Sequence, residues 1–344
     1  MKALVLEKNK VLKYKEIQIP KKKYEKSYLV KVIASGICGS DLHRAFEGGA
    51  YHYPLVMGHE FSGTIKEGFK GARFKKGDKI VVFPLIPCNK CTACQTGDYA
   101  QCMDYDYLGS RSDGGFAQYT YVPEENIFLV PDHIDMIHAA LTEPSAVALH
   151  GVKKLDISPG STGAVFGGGF IGNIVAQWMR IRGARDVIIV DIDEKKLKIA
   201  KNMGFISLNS MKKDPIESIL SYTHKDGADF VVEACGLPIT FLQSIKSVKR
   251  FGQVVFMGNI SGTFEIREKD FSNMLRKEIK IYGTWNSKII PEGQNDWSAV
   301  LKYMDRELNI APLISHKPNL SMGEEIFRRL YNKTESFNRV VFKV

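Results

Sequence analysis

Four cysteines spaced Cys88-x₂-Cys91-x₂-Cys94-x₇-Cys102 crowd their thiols into one short stretch, and a chain that carries such a run must fold it back on itself. Thiols two residues apart can turn toward a single ion, which is the tetrahedral chemistry of Zn²⁺. Disulfides would need an oxidising compartment, whereas the opening MKALVLEKNK has no apolar signal-like run and predicts a reducing, cytoplasmic setting. Only Cys38 and Cys235 lie outside the run, which argues against chance clustering. A four-thiolate site is coordinatively closed. It would staple a lobe over residues 85–105 and leave the chemistry to be sought elsewhere.

The 344 residues, 44% hydrophobic and 25% charged, suffice for two packed domains with no disordered bias. No apolar stretch approaches the roughly 20 residues that cross a bilayer, and neither end carries a lipidation motif, so no membrane partner is expected. The net charge of +10 is spread along the chain, and its one dense run, Lys21 to Lys23, is too short for a nucleic-acid stripe. From residue 1 to 150, short β-branched runs such as YLVKVIASG, KIVVFPLIP and FAQYTYV alternate with glycine and proline, predicting an all-β region with long loops. From 151 to 285, apolar strands (GAVFGG, VIIVDID, ADFVVEACG, QVVFMGN) alternate with amphipathic stretches, predicting an α/β fold with a doubly wound parallel sheet. Residues 286–344, with helices near Trp297–Met304 and Gly323–Tyr331 and a last strand RVVFKV, are too few for a domain and are expected to rejoin the first region.

Gly167, Gly169 and Gly172 form GxGxxG between a predicted strand and a predicted helix. In that context the glycines permit a tight turn, close approach of a pyrophosphate, and helix packing, with Phe170 and Ile171 supplying first-turn amides. Asp191 ends the next strand, where a carboxylate can accept from both ribose hydroxyls and repel a 2′-phosphate, favouring NAD over NADP. The competing reading of Asp191 is a cap for the following helix. Lys196, in that helix, is either a ribose contact or a surface lysine.

GICGSDLH and MGHEFSG supply Cys38, Asp41, His43, His59 and Glu60 from two loops, and LTEPSAV adds Glu143. A cysteine, a histidine and a nearby carboxylate make a zinc site with an open fourth position, where a reaction can occur. Singly, Cys38 reads as a small buried hydrophobe, His59 as a core histidine and Glu143 as a first-turn acid. Beside a dinucleotide loop, the set points to alcohol and carbonyl interconversion.

GHE, CxxCxxCx₇C and GxGxxG, in that order, resemble the medium-chain zinc-dependent alcohol dehydrogenases over nearly the whole chain. CGSDLHRAFEGGAYHYPLVMGHEFSG, YDYLGSRSDGGFAQY and RKEIKIYGTWN are similar to the polyol, sorbitol dehydrogenase branch. The resemblance implies a chaperonin-10-like β-barrel catalytic domain (1–150 and 286–344), a Rossmann domain (151–285) and a homodimer or homotetramer. It implies two zincs per chain, the catalytic one held by Cys38, His59 and either Glu60 or Glu143, and NAD as hydride acceptor.

The implied reaction oxidises a secondary hydroxyl of a sugar alcohol phosphate, such as galactitol 1-phosphate, to the ketose phosphate. Ser40 would take the hydroxyl proton and pass it toward His43. Many polyol enzymes lack a histidine there, which leaves solvent as the other acceptor. Asp41 reads as a hydrogen-bond partner that orients a ligand imidazole. Arg44 and Arg111 are the candidate phosphate clamps, with Trp285 and Asn286 as further substrate contacts. The rivals are an unphosphorylated polyol, a small diol or threonine as substrate, or a zinc-containing NADH sensor that performs no reaction.

Overall fold

The computed structural model describes residues 1–290 and 295–344. The chain forms two units, one of residues 1–146 with 288–344 and one of residues 147–287.

The first unit is organised around the strand Ser27–Gly36, a ten-residue run of mostly buried side chains. It pairs antiparallel with Glu60–Glu67, with Tyr119–Pro123 and with the late strand Arg339–Lys343. Gly36 is the register partner of both Glu60 and Val341, so the start of the GHE strand and the chain's last strand meet across one residue. Two apolar clusters fill this unit, one including Leu4, Leu6, Phe116, Phe327 and Phe342, the other Tyr28, Val30, Phe61, Ile80 and Val122. Trp297, fully buried on the helix Asp296–Tyr303, packs edge-on to Phe83 and stacks on Phe128.

One departure from the sequence reading bears on function. Residues 39–46 are a helix, not a loop. Cys38 is its N-cap residue, and the Asp41 carboxylate accepts the Cys38 backbone N–H at 3.0 Å, closing the first turn in the manner of a capping box. At eight residues, opening on glycine and serine, it carries too little periodicity to be read from sequence.

The second unit is a six-stranded parallel sheet, and its strands, counted in chain order, lie 3-2-1-4-5-6. The first, Thr162–Phe166, is flanked by Asp186–Asp191 and Ala228–Glu233. Val, Ile and Phe fill the inner strands because helices cover both faces; Ala164, Phe166, Ile188, Val190, Val231 and Val254 share one cluster.

Candidate functional site

The four-cysteine run closes as its spacing requires. Cys91 caps the short helix Thr92–Gln95, and the four sulfurs lie within 4.8 Å of one another. Cys91 Sγ is 3.5 Å from Cys94 and 3.9 Å from Cys102, and Cys88 is 3.9 Å from Cys94. Four thiolates on one zinc at about 2.3 Å would stand about 3.8 Å apart, so the set fits the ion. Backbone amides of Met103 and Cys94 directed at Cys91 lower its thiol pKa to about 6, whereas burial and the neighbouring thiols push Cys94 up to about 12. Asp98 pairs with Lys288 at 2.8 Å and ties the lobe to the later segment of its unit. Cys94→Ser is expected to lower the zinc content by one ion per chain and the melting temperature by about 5–10 °C, with NADH affinity unchanged. Metal analysis and thermal melts check this; full stability with catalysis alone lost would contradict the assignment.

The second cluster consists of Cys38, His59 and Glu60, whose ligand atoms also lie within 4.8 Å of one another. His59 is buried, and its Nδ1 is 3.4 Å from Oδ1 of Asp41, which leaves Nε2 to face a metal. Burial works against the charge on Asp41, yet His59 and Arg44 beside it hold its pKa below the usual carboxylate range. Glu60 is fully buried and forms an ion pair with Arg339, itself buried. Its Oε1 has no hydrogen-bond partner among the described residues, a lone pair available to a cation. Gly36 makes the packing possible: a Cβ there would stand 2.3 Å from Glu60 Oε2. The three donors fit a zinc ion with an open fourth position.

Glu143, in the first turn of the helix Thr142–Val152, stands outside this cluster. It accepts from the Tyr107 hydroxyl at 3.3 Å. Burial pushes its pKa up to about 7, with His59 opposing and the charge of Glu60 adding to the rise. Tyr107, half-buried, presents an edge to the His59 ring at 5.8 Å. Sequence reasoning missed Tyr107 and Arg339. The sequence signal for Arg339 was a lone arginine opening the apolar strand RVVFK.

Ser40 Oγ accepts from Arg44 at 3.0 Å, and Arg44 also donates to Asp41 at 3.1 Å. Arg44 is thereby committed to the carboxylate behind His59. His43 is well exposed, with Nδ1 2.8 Å from Glu47. Arg111 lies between two rings, 4.7 Å from Tyr51 and 4.1 Å from Tyr105, and donates to the Tyr105 carbonyl at 2.9 Å. Trp285 is exposed and Asn286 accepts from Ser287 N–H at 2.7 Å; both belong to the second unit.

In that unit the glycine loop joins Thr162–Phe166 to the helix Phe170–Ile181. Gly167 has φ +112°, and a Cβ on Gly172 would fall 1.7 Å from the Gly167 carbonyl oxygen, so both positions demand glycine. Gly169 caps the helix with no side chain, leaving the first-turn amides of Ile171 and Gly172 for an anion. Asp191 Oδ2 accepts from Gly168 N–H at 2.7 Å, and Oδ1 from Ile192 and Asp193 at 2.7 and 2.9 Å. The cap of the next helix, Glu194–Asn202, is Asp193, so Asp191 does not serve there. Lys196 is partly buried in that helix's first turn. The loop, the bare helix end and the carboxylate fit a dinucleotide.

Among the described residues no helix is long and apolar enough to cross a membrane. Residues 24–132 match the family model of the alcohol dehydrogenase GroES-like domain, and residues 171–306 that of the zinc-binding dehydrogenases. The chain is 32% identical over 322 residues to galactitol 1-phosphate 5-dehydrogenase of Escherichia coli strain K12, covering 92% of each. It is 34% identical over 265 residues to sorbitol dehydrogenase of Bacillus subtilis, covering 75% of each. A solved zinc-binding dehydrogenase from Sinorhizobium meliloti, bound to NADP, superposes with a TM-score of 0.91 at 29% identity, over 100% of this chain and 99% of that one.

Proposed function

The chain belongs to the medium-chain zinc-dependent alcohol dehydrogenase family, and from that premise we propose that it oxidises a secondary hydroxyl of a sugar alcohol phosphate to the ketose phosphate, with NAD as hydride acceptor. The observation that carries this reading is the open donor set Cys38, His59 and Glu60 in a chain that also has an uncapped glycine loop. A zinc ion held by these three residues supplies the Lewis acidity that lowers a hydroxyl's pKa toward neutrality. Asp41 keeps the His59 ring in orientation, and Arg339 balances the charge of Glu60. Ser40 Oγ, which accepts a hydrogen bond from Arg44, relays the hydroxyl proton: it takes that proton as its own passes on toward exposed His43, which exchanges it with water. Asp191 receives the ribose hydroxyls and disfavours a 2′-phosphate, which supports NAD. A sensor that performs no reaction would have no use for the open site.

For the phosphate end, Arg111 is the better clamp, because its guanidinium stands over the rings of Tyr51 and Tyr105 while Arg44 is paired with Asp41. That same pairing of Arg44 supports the second reading, an unphosphorylated polyol. Galactitol 1-phosphate, sorbitol 6-phosphate, ribitol 5-phosphate and sorbitol are to be compared by kcat/KM with NAD⁺ and NADP⁺. The expected order places a phosphorylated polyol with NAD⁺ first; a preference for sorbitol would remove the clamp. The thiol ligands suit a reducing cytoplasm.

A second copy of the chain is the proposed partner. Strand Lys280–Gly283 ends the parallel sheet, and among the described residues no strand pairs with its outer side. Ile281 on that strand and Phe271 and Leu275 on the helix Glu268–Lys277 are exposed. An edge strand of this kind can pair with its own copy about a twofold axis. Light scattering of the parent and of Ile281→Lys is expected to report a dimer or tetramer and a smaller species, respectively.

A further inference from the structure

The second unit holds a buried carboxylate that the proposed reaction does not use. Glu233 ends the strand Ala228–Glu233, where parallel register sets it beside Phe166, the residue before the glycine loop. Its side chain is fully buried. Oε1 accepts from the N–H of Cys235 at 2.8 Å, the N–H of Gly236 at 2.9 Å and the hydroxyl of Thr240 at 2.7 Å. Its main-chain carbonyl accepts from Met257 and Gly258 at 2.9 and 3.0 Å. One residue thus gathers the turns that follow two neighbouring strands.

These turns touch backbone to backbone. A Cβ on Gly236 would lie 2.3 Å from the Asn259 carbonyl oxygen, and one on Gly258 would lie 2.3 Å from Gly236 N and 2.4 Å from Glu233 Oε2. The first turn also abuts the glycine loop. Ala234 N–H donates to the Phe166 carbonyl at 2.8 Å, and a Cβ on Gly167 would stand 3.1 Å from the Ala234 oxygen.

In the strand order 3-2-1-4-5-6 the order reverses between Thr162–Phe166 and Ala228–Glu233, and open sheets bind dinucleotides at the carboxyl ends beside that switch point. The half of the sheet carrying Asp191 takes one mononucleotide, and the half opened by Glu233 takes the other. We propose that Glu233 is a positioning residue for the nicotinamide half of the dinucleotide: by collecting five donors it fixes the 234–236 and 257–259 turns as the lip facing the glycine loop, before ligand arrives. The inference rests on the reading of this chain as a dinucleotide enzyme.

The test is a fluorescence titration with NADH and a parallel titration with ADP, which lacks the nicotinamide riboside. Aspartate is one methylene too short to serve all three side-chain donors, so Glu233→Asp is expected to weaken NADH about tenfold, the cost of stranding buried amides, and ADP by about twofold at most. Oε2 has no hydrogen-bond partner among the described residues, so Glu233→Gln, which keeps one acceptor oxygen, is expected to stay within about threefold of the parent. Should the aspartate variant not fold, Thr240→Val removes a single donor and is expected to weaken NADH by about threefold with the circular dichroism spectrum unchanged. Unaltered NADH affinity in these variants, or equal weakening of ADP, would overturn the positioning role alone. An unmodified protein that binds no NADH would overturn it together with the dinucleotide reading.

Discussion

Replacing Cys38 with serine is expected to lower turnover by about 10³-fold or more, the several kcal/mol that Lewis-acid stabilisation supplies, while NADH still binds. A thiol ionises near neutrality and becomes an anionic ligand; a serine hydroxyl does not. The remaining cluster would hold one histidine and one carboxylate, and that carboxylate already has Arg339 as its counter-charge. Cys88, Cys91, Cys94 and Cys102 form their own cluster, and among the described residues no second thiol joins Cys38, His59 and Glu60. Zinc content is expected to fall from two ions per chain to one, with the circular dichroism spectrum retained. Turnover within tenfold of the parent at one zinc per chain would remove Cys38 from the reaction.

Arg339→Met tests the other side of the same centre. Glu60 is wholly buried, and an ionised carboxylate stripped of its partner there costs about 3–5 kcal/mol. The size of the loss depends on metal: in chelator-treated protein it is expected in full, whereas a bound cation takes over as counter-charge and reduces it. Melting curves with and without chelator read the difference. Adding Glu60→Gln to Arg339→Met is expected to restore most of the chelated protein's stability, since the pair is removed together. Equal melting of Arg339→Met and parent under chelation would show that the ion pair does not govern the pocket.

The contrast between these two residues explains what could be read beforehand. Cys38, His59, the four-cysteine run and the glycine loop announce themselves because each sits in a motif a few residues long whose spacing is itself the geometry. That Glu60 clusters with Cys38 and His59 while Glu143 stands apart could not be read that way, since it depends on where strand pairing and the Tyr107 contact place the two carboxylates. Glu233 was hidden for the same reason: beside the Thr240 hydroxyl, its partners are the amides of turns, which carry no side-chain signal. For Arg44, adjacency to His43 in sequence suggested a substrate clamp, and helical geometry brings one of its guanidinium nitrogens to Asp41, three residues earlier, a contact that adjacency did not reveal.

The register that seats Arg339 beside Glu60 also imposes an order in time. During synthesis the zinc donors of the open centre leave the ribosome early, the whole second unit follows, and the guanidinium that neutralises Glu60 emerges last. At roughly 5–20 residues per second, tens of seconds separate Glu60 from Arg339. Through that interval the strand Ser27–Gly36 lacks one of its neighbours and Glu60 lacks its counter-charge. A nascent chain therefore exposes a competent thiol and imidazole before it can bury them, and a chain that stops short of residue 339 keeps every zinc donor yet never closes the pocket around them. Closure of the centre therefore waits on the last strand.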